Sequence, residues 1–129
     1  ILALLLALFP HTPALACLRV LRATIAARGD EAARVTGVPV AVLAAVAWHE
    51  THLGCARGSG GNWGAPAPGR DRHRAGTPLD AARALATSYR VCGTWPRAIA
   101  RFRSGDCGSR SHAGYVGRVW ALARRLGVR

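Results

Sequence analysis

Apolar positions along the chain recur with the three-to-four-residue spacing of α-helices, and the two-residue alternation of strands is missing. The pattern therefore predicts an all-α fold: a small helical domain over residues 17–129. A loop rich in Gly, Pro and Arg at 53–76 interrupts it, and loops of that length usually bind a ligand or move. The predicted helices are 17–28, 30–36, 39–52, 78–92, 95–103 and 112–126, with a break at Gly29 between the first two.

One carboxylate lies on the apolar face of the helix predicted over 39–52. Leu43, Val46 and Glu50 occupy positions i, i+3 and i+7, so Glu50 projects from the face that should pack on the core. Removing solvent from a carboxyl group favours its protonated form, which a glycosidase needs to protonate a leaving sugar oxygen. The alternative is a buried structural glutamate paired with an arginine, for example Arg57 or Arg103.

The histidines beside this carboxylate do not form a zinc signature. A metalloprotease helix needs two histidines four residues apart, whereas position 53, four residues after His49, is Leu53. We expect His49 and His52 to lie on the helix flank or at the rim of a cleft. The sequence predicts neither a metal nor a cofactor.

The first sixteen residues have the pattern of a partial signal peptide. An apolar run over Ile1 to Phe9 precedes Ala14-Leu15-Ala16, which resembles a signal-peptidase site. The run is too short to cross a bilayer, so we expect no integral membrane span. Export would place the protein outside the cell, in the periplasm or in the cell envelope. Two alternatives are a lipoprotein anchored through Cys17 and an ordinary buried N-terminal helix.

The chain has four cysteines, an even number typical of disulfides in a small exported protein. A zinc site is disfavoured because no C-x-x-C pair occurs. Three pairings are possible for four cysteines. One of them joins Cys92 to Cys107 across a helical hairpin and leaves Cys17 to pair with Cys55.

The charge of the chain indicates an anionic partner. Eighteen basic residues, all arginine, face six acidic ones, and the formal net charge is +12. Nucleic acid, a membrane surface and an acidic polymer such as peptidoglycan all fit that charge. Residues 30–52 allow a helix-turn-helix interpretation through Ala33, Gly37 and Val42. Its recognition helix would have almost no side chain able to contact a base or a phosphate, so we expect no nucleic-acid partner.

Four short signatures, taken in order, resemble a known family. Val35-Thr36-Gly37-Val38-Pro39, the apolar helix and then Trp48-His49-Glu50-Thr51 resemble the opening of soluble lytic transglycosylase and goose-type lysozyme domains. In that family a glycine-rich loop, an aromatic-x-x-Gly hairpin and a helix opening with Tyr-Val follow. The counterparts here are 60–64, 101–105 and Tyr115-Val116.

The resemblance implies a lysozyme-like fold and a lytic transglycosylase. Such an enzyme cleaves the β-1,4 bond between N-acetylmuramic acid and N-acetylglucosamine in peptidoglycan, with Glu50 as acid and then base. We expect a monomer. Trp63 is the candidate for stacking on a sugar ring, or else a plug over the bundle. The implied substrate-binding residues are Thr51, Ser59, Asn62, Trp63, Gly64, Phe102, Ser104 and Tyr115.

The small number of carboxylates favours this enzyme class over an ordinary glycoside hydrolase. A hydrolase uses a second carboxylate about 5 to 9.5 Å from the first. The candidates are Asp71, Asp80 and Asp106, of which Asp80 fits the first turn of a helix. A transglycosylase avoids the requirement because the C6 hydroxyl of the sugar attacks.

The chain departs from the family at two positions. Gly64 is followed by Ala65-Pro66, so the usual cleft glutamine has no counterpart, and Phe102-Arg103 replaces the usual Tyr-Asn. In the family the phenol of that tyrosine hydrogen-bonds the catalytic acid, and here Tyr115, Ser59 or Ser104 could supply the bond. A second interpretation is therefore a catalytically impaired, cationic cell-wall-binding protein of the same fold.

Overall fold

The computed structural model describes residues 1–64, 76–108, 110 and 112–128. These ranges contain seven helices and no strand, so the predicted all-α class is confirmed. Of the predicted loop, residues 65–75, including Asp71, lie outside the described residues. The helices are α1 (Leu2–Leu8), α2 (Leu15–Val20), α3 (Arg22–Thr36), α4 (Val40–Thr51), α5 (Pro78–Cys92), α6 (Trp95–Ser104) and α7 (Ala113–Arg125).

Helix α4 is the centre of the domain. Every residue from Ala41 to Trp48 is buried, which agrees with a helix that is apolar on all sides. It packs against α3, α5 and α7, while α5 packs against α3 and α6. A helix enclosed in this way cannot enter the groove of a nucleic acid, so α4 is not a recognition helix.

The ends of α5 are set by residues that the sequence identifies. The Thr77 hydroxyl accepts a hydrogen bond from the Asp80 amide at 3.1 Å, and the Asp80 carboxylate accepts one from the Thr77 amide at 3.4 Å. Pro78 occupies the first turn, where its missing N–H costs nothing. Gly93 ends the helix at φ 82°, a left-handed conformation that glycine adopts without strain. The predicted limits of this helix are therefore confirmed.

The predicted helix break at Gly29 is wrong. Helix α3 continues through Gly29, and the interruption falls at Leu21 between α2 and α3. The glycine serves a tertiary contact instead, because a Cβ atom at residue 29 would lie 3.0 Å from Cη2 of Trp63. A missing side chain at this position lets the indole ring of Trp63 pack directly on the helix backbone.

The N-terminal segment packs on the rest of the domain. Leu2 and Leu5 of α1 are buried, and the Phe9 ring stacks on Trp48 with 4.7 Å between centroids. The boundary predicted between residues 16 and 17 falls inside α2. Within the described ranges, no helix combines the length and the apolar character needed to cross a bilayer.

Two disulfides tie the helices together. Cys17 pairs with Cys55 and Cys92 with Cys107, which is the pairing that closes the helical hairpin. All four sulfurs are therefore engaged, and a zinc site built from them is excluded. The Cys17 sulfur cannot carry a thioether-linked lipid while it is bonded to Cys55, which argues against the lipoprotein alternative. Two disulfides are compatible with an oxidising compartment.

Candidate active site

Glu50 lies in the last turn of α4, on the face that the apolar pattern predicts to be buried. Its side chain is 13% exposed. The Tyr115 hydroxyl, from the first turn of α7, donates a hydrogen bond to Oε1 at 2.7 Å. The Arg103 guanidinium, from the end of α6, lies on the other side with Nη1 3.5 Å from Oε2. Three helices thus bring one carboxyl, one phenol and one cation together.

Tyr115 is held as a hydrogen-bond donor. Burial, and then the adjacent charge of Glu50 and its hydrogen bond, raise the pKa of the Tyr115 phenol well above its usual range. The positive charge of Arg103 acts in the opposite direction, with its Cζ atom 5.0 Å from the centroid of the tyrosine ring. Because the phenol keeps its proton, it can donate to Glu50 throughout the physiological pH range.

Tyr115, Ser59 and Ser104 are the three residues that the sequence offers as hydrogen-bond partners of Glu50. In the structure Tyr115 makes that bond. The two serines bond locally instead. The Ser59 hydroxyl lies 2.6 Å from the carbonyl oxygens of both Gly54 and Ala56. The Ser104 hydroxyl donates to the carbonyl oxygen of Ala100, one turn earlier in α6, at 2.8 Å. Both serines therefore stabilise the backbone around the site.

The described part of the loop after α4 folds back over the end of that helix. The Thr51 hydroxyl donates a hydrogen bond to the carbonyl oxygen of Asn62 and accepts one from the Gly54 amide at 2.9 Å. The Asn62 side-chain oxygen accepts from the Gly64 amide at 2.7 Å. Thr51 and Asn62 thus hold the loop in place, and they bring Gly64 to the side of Glu50.

Gly64 forms a wall of the site through its bare backbone. It has φ 129°, a conformation that L-residues rarely adopt. A Cβ atom here would lie 3.1 Å from Cγ of Glu50 and 3.4 Å from Cζ of Phe102. Phe102 is 2% exposed and packs beneath the glycine. Any larger residue at position 64 would therefore press on the Glu50 side chain.

Trp63 belongs to the core. It is 4% exposed, and its ring lies against Gly29 of α3. An indole enclosed in this way is not available to stack on a sugar, so of its two expected roles the structure supports the plug over the bundle.

The two histidines flank Glu50, as the sequence indicates. The His49 Nδ1 atom lies 3.0 Å from the carbonyl oxygen of Ala45, and its ring meets Tyr115 edge-on at 6.4 Å between centroids. His52 ends α4 at φ 48° and packs edge-on against Trp48. Burial and the charge of His49 lower the pKa of His52, so this ring is neutral at physiological pH. Among the described residues, no group of three or more His, Cys, Asp or Glu side chains could hold a metal ion.

The two described candidates for a second carboxylate bond to nearby backbone amides. Asp80 completes the cap of α5. Asp106 accepts a hydrogen bond from the Gly108 amide at 2.9 Å in the turn after α6. Within the described residues, neither carboxylate forms a hydrogen bond with Glu50.

Arg103 lies where the structural alternative for Glu50 predicts it, because its guanidinium forms an ion pair with that carboxyl. The same carboxyl also accepts the hydrogen bond of Tyr115, and the sequence did not predict the two contacts together. The signal in the sequence was the pair Phe102-Arg103, which stands where the signature that the chain resembles has Tyr-Asn.

The arrangement has a definite chemical capacity. Oε1 of Glu50 is fixed by a neutral donor, so Oε2 is the atom through which a proton can be exchanged once the cation beside it moves.

Comparison with protein-family models, with curated proteins and with solved structures finds no match to this chain.

Proposed function

We propose that this protein is a lytic transglycosylase that cleaves the β-1,4 bond between N-acetylmuramic acid and N-acetylglucosamine in peptidoglycan. The observation that carries the proposal is the Tyr115 hydroxyl 2.7 Å from a largely buried Glu50 at the end of the central helix. The order of the four sequence signatures supports it, as does a net charge of +12 for binding an acidic polymer. The two disulfides support an exported location.

In the first step, protonated Glu50 donates its proton from Oε2 to the glycosidic oxygen. The bond between C1 of the muramic acid and that oxygen breaks, and the N-acetylglucosamine side leaves as a neutral alcohol. Positive charge develops at C1, and Glu50 becomes a carboxylate. The Tyr115 hydrogen bond stabilises the new negative charge on Oε1.

In the second step, the Glu50 carboxylate accepts the proton of the C6 hydroxyl as O6 forms a bond to C1. The product is a 1,6-anhydro sugar, and Glu50 regains the proton that it donated. No water is consumed and no second carboxylate is needed, which suits a chain in which the described candidates for a second carboxylate, Asp80 and Asp106, bond to backbone amides.

A second candidate function keeps the fold and removes the catalysis. The ion pair between Arg103 and Glu50 is the observation that favours a cationic wall-binding protein, since an arginine that stays at Oε2 blocks the oxygen that would donate the proton. In that case wall binding would depend on the arginines and not on Glu50.

The test is digestion of purified peptidoglycan by the full chain with both disulfides formed, followed by mass spectrometry of the soluble products. Glu50→Gln keeps the shape of the side chain and removes the acid. Glu31→Gln is the matched control, because Glu31 is the only other glutamate in the chain and is exposed in α3. We expect anhydro-muropeptides from the wild type and from Glu31→Gln, and none from Glu50→Gln. Wall binding without soluble product in all three proteins would instead support the binding protein.

A further inference from the structure

Both oxygens of the Glu50 carboxyl are occupied in the structure. Tyr115 donates to Oε1 at 2.7 Å, and Arg103 lies 3.5 Å from Oε2. The phenol can remain through the reaction because it stabilises the charge that forms. The guanidinium cannot, because it lies against Oε2, the oxygen from which the proton would be donated.

Arg103 is placed so that it can leave. Its side chain is 46% exposed while that of Glu50 is 13% exposed, so the cation lies at the solvent side of the pair. The residue is in the last turn of α6, which Gly105 ends. Its guanidinium rests over the Tyr115 ring, and side-chain rotation alone can move it without a change in the helix.

We propose that Arg103 is a latch that an anionic substrate opens: a carboxylate of the muramyl strand draws the guanidinium away from Oε2 of Glu50. This inference rests on the proposed function. The arginine exchanges one carboxylate for another, so the loss of its contact with Glu50 is offset when the substrate is anionic. A neutral glycan offers no replacement, and the latch then stays closed. Arg103 is therefore a specificity-determining residue that selects charged glycan strands over neutral ones.

The kinetic test compares two forms of one substrate. Muramyl glycan strands with free carboxylates are assayed beside the same strands after their carboxylates are converted to neutral amides. Wild-type enzyme should prefer the anionic strands by about tenfold in kcat/KM, the size expected when one charge-assisted contact is exchanged. Arg103→Gln should lose most of that preference, with lower kcat/KM on anionic strands and equal or higher kcat/KM on neutral ones.

Arg124→Gln is the matched control. It removes the same charge from an exposed position in the last turn of α7 and should keep the wild-type preference. An unchanged preference in Arg103→Gln would overturn the latch. So would an equal loss of preference in both variants, because general attraction to a cationic protein would then explain it.

A binding measurement separates failure of the latch from failure of the proposed function. The Nε–H signal of Arg103, assigned by its loss in Arg103→Gln, is followed by NMR in the wild-type protein during titration with N-acetylmuramic acid or with neutral N-acetylglucosamine. A saturable shift with the anionic sugar alone supports the latch even if no strand is cleaved. Cleavage of strands without such a shift would retain the enzyme and refute the latch.

Discussion

The substitution Gly64→Ala tests whether the backbone of the loop is the wall that positions Glu50. Its Cβ atom would lie 3.1 Å from Cγ of Glu50, 3.3 Å from Cβ of the same residue and 3.4 Å from Cζ of Phe102. Overpacking of a filled site costs about 1 to 3 kcal/mol. The backbone at φ 129° adds about 1 to 3 kcal/mol for an alanine. Lower entropy of the unfolded chain returns about 0.4 to 1 kcal/mol.

The expected loss in the free energy of unfolding is therefore about 1 to 6 kcal/mol. Gly37→Ala is the control: Gly37 has φ 76°, and nothing lies within 4 Å of the Cβ position there. It should cost about 1 to 2 kcal/mol from the backbone alone, before the same entropic return. Urea denaturation followed by tryptophan fluorescence measures both variants.

A double-mutant cycle isolates the contact with Glu50. In a Glu50→Ala background the Cγ atom is gone, so the cost of Gly64→Ala should fall by about 0.5 kcal/mol or more. If Gly64→Ala costs no more than Gly37→Ala, and if its cost does not change when Glu50 is truncated, the packing of Gly64 against Glu50 is not what the structure describes.

Two further predictions address the side chains around Glu50. Tyr115→Phe keeps the ring over which Arg103 lies but removes the hydrogen bond to Glu50. A hydrogen bond to a carboxylate is worth about 1.5 to 3 kcal/mol, so kcat/KM on peptidoglycan should fall by about 10- to 150-fold. Wild-type turnover in this variant would show that the phenol does not support the acid. Folding lowers the pKa of His52 from its usual value of 6.5, so on acidification the unfolded chain is protonated at His52 before the folded protein is. The stability that neutral His52 contributes above about pH 6.5 is therefore lost as the pH falls below that value. His52→Asn, which tolerates φ 48°, should reduce the drop in the midpoint of urea denaturation between about pH 7.5 and pH 5.5, whereas an unchanged drop would assign the pH dependence to other groups.

Local signals were sufficient for the features that depend on neighbouring residues. The cap of α5 is formed by Thr77 and Asp80, which lie three residues apart within the first turn of the helix. The sequence around the helix start is therefore enough to predict it. Glu50 was identified because a single charge interrupts an apolar helical face, and burial of that face follows from the same pattern.

Contacts between distant segments were not predictable in the same way. The helix break predicted at Gly29 is wrong because glycine has a low helix propensity, and the sequence pattern took it as a helix end. The presence of glycine at this position is explained by the contact with Trp63, which lies in a distant loop. Tyr115 is 65 residues from Glu50, and the sequence could name it only as one of three alternatives. For Arg103 the sequence allowed an ion pair with Glu50 but did not place the phenol and the cation on opposite oxygens of one carboxyl.

The most direct test of a single-glutamate transglycosylase is digestion of peptidoglycan in water labelled with heavy oxygen, with mass spectra of the soluble products. We expect unlabelled 1,6-anhydro ends, because O6 of the sugar and not water attacks C1. We also expect Glu50→Gln to yield none of them. Labelled reducing ends in excess of those formed in an incubation without the protein would show that water is the nucleophile. Product formation by Glu50→Gln would show that the acid is another residue. Either result would contradict the proposed mechanism.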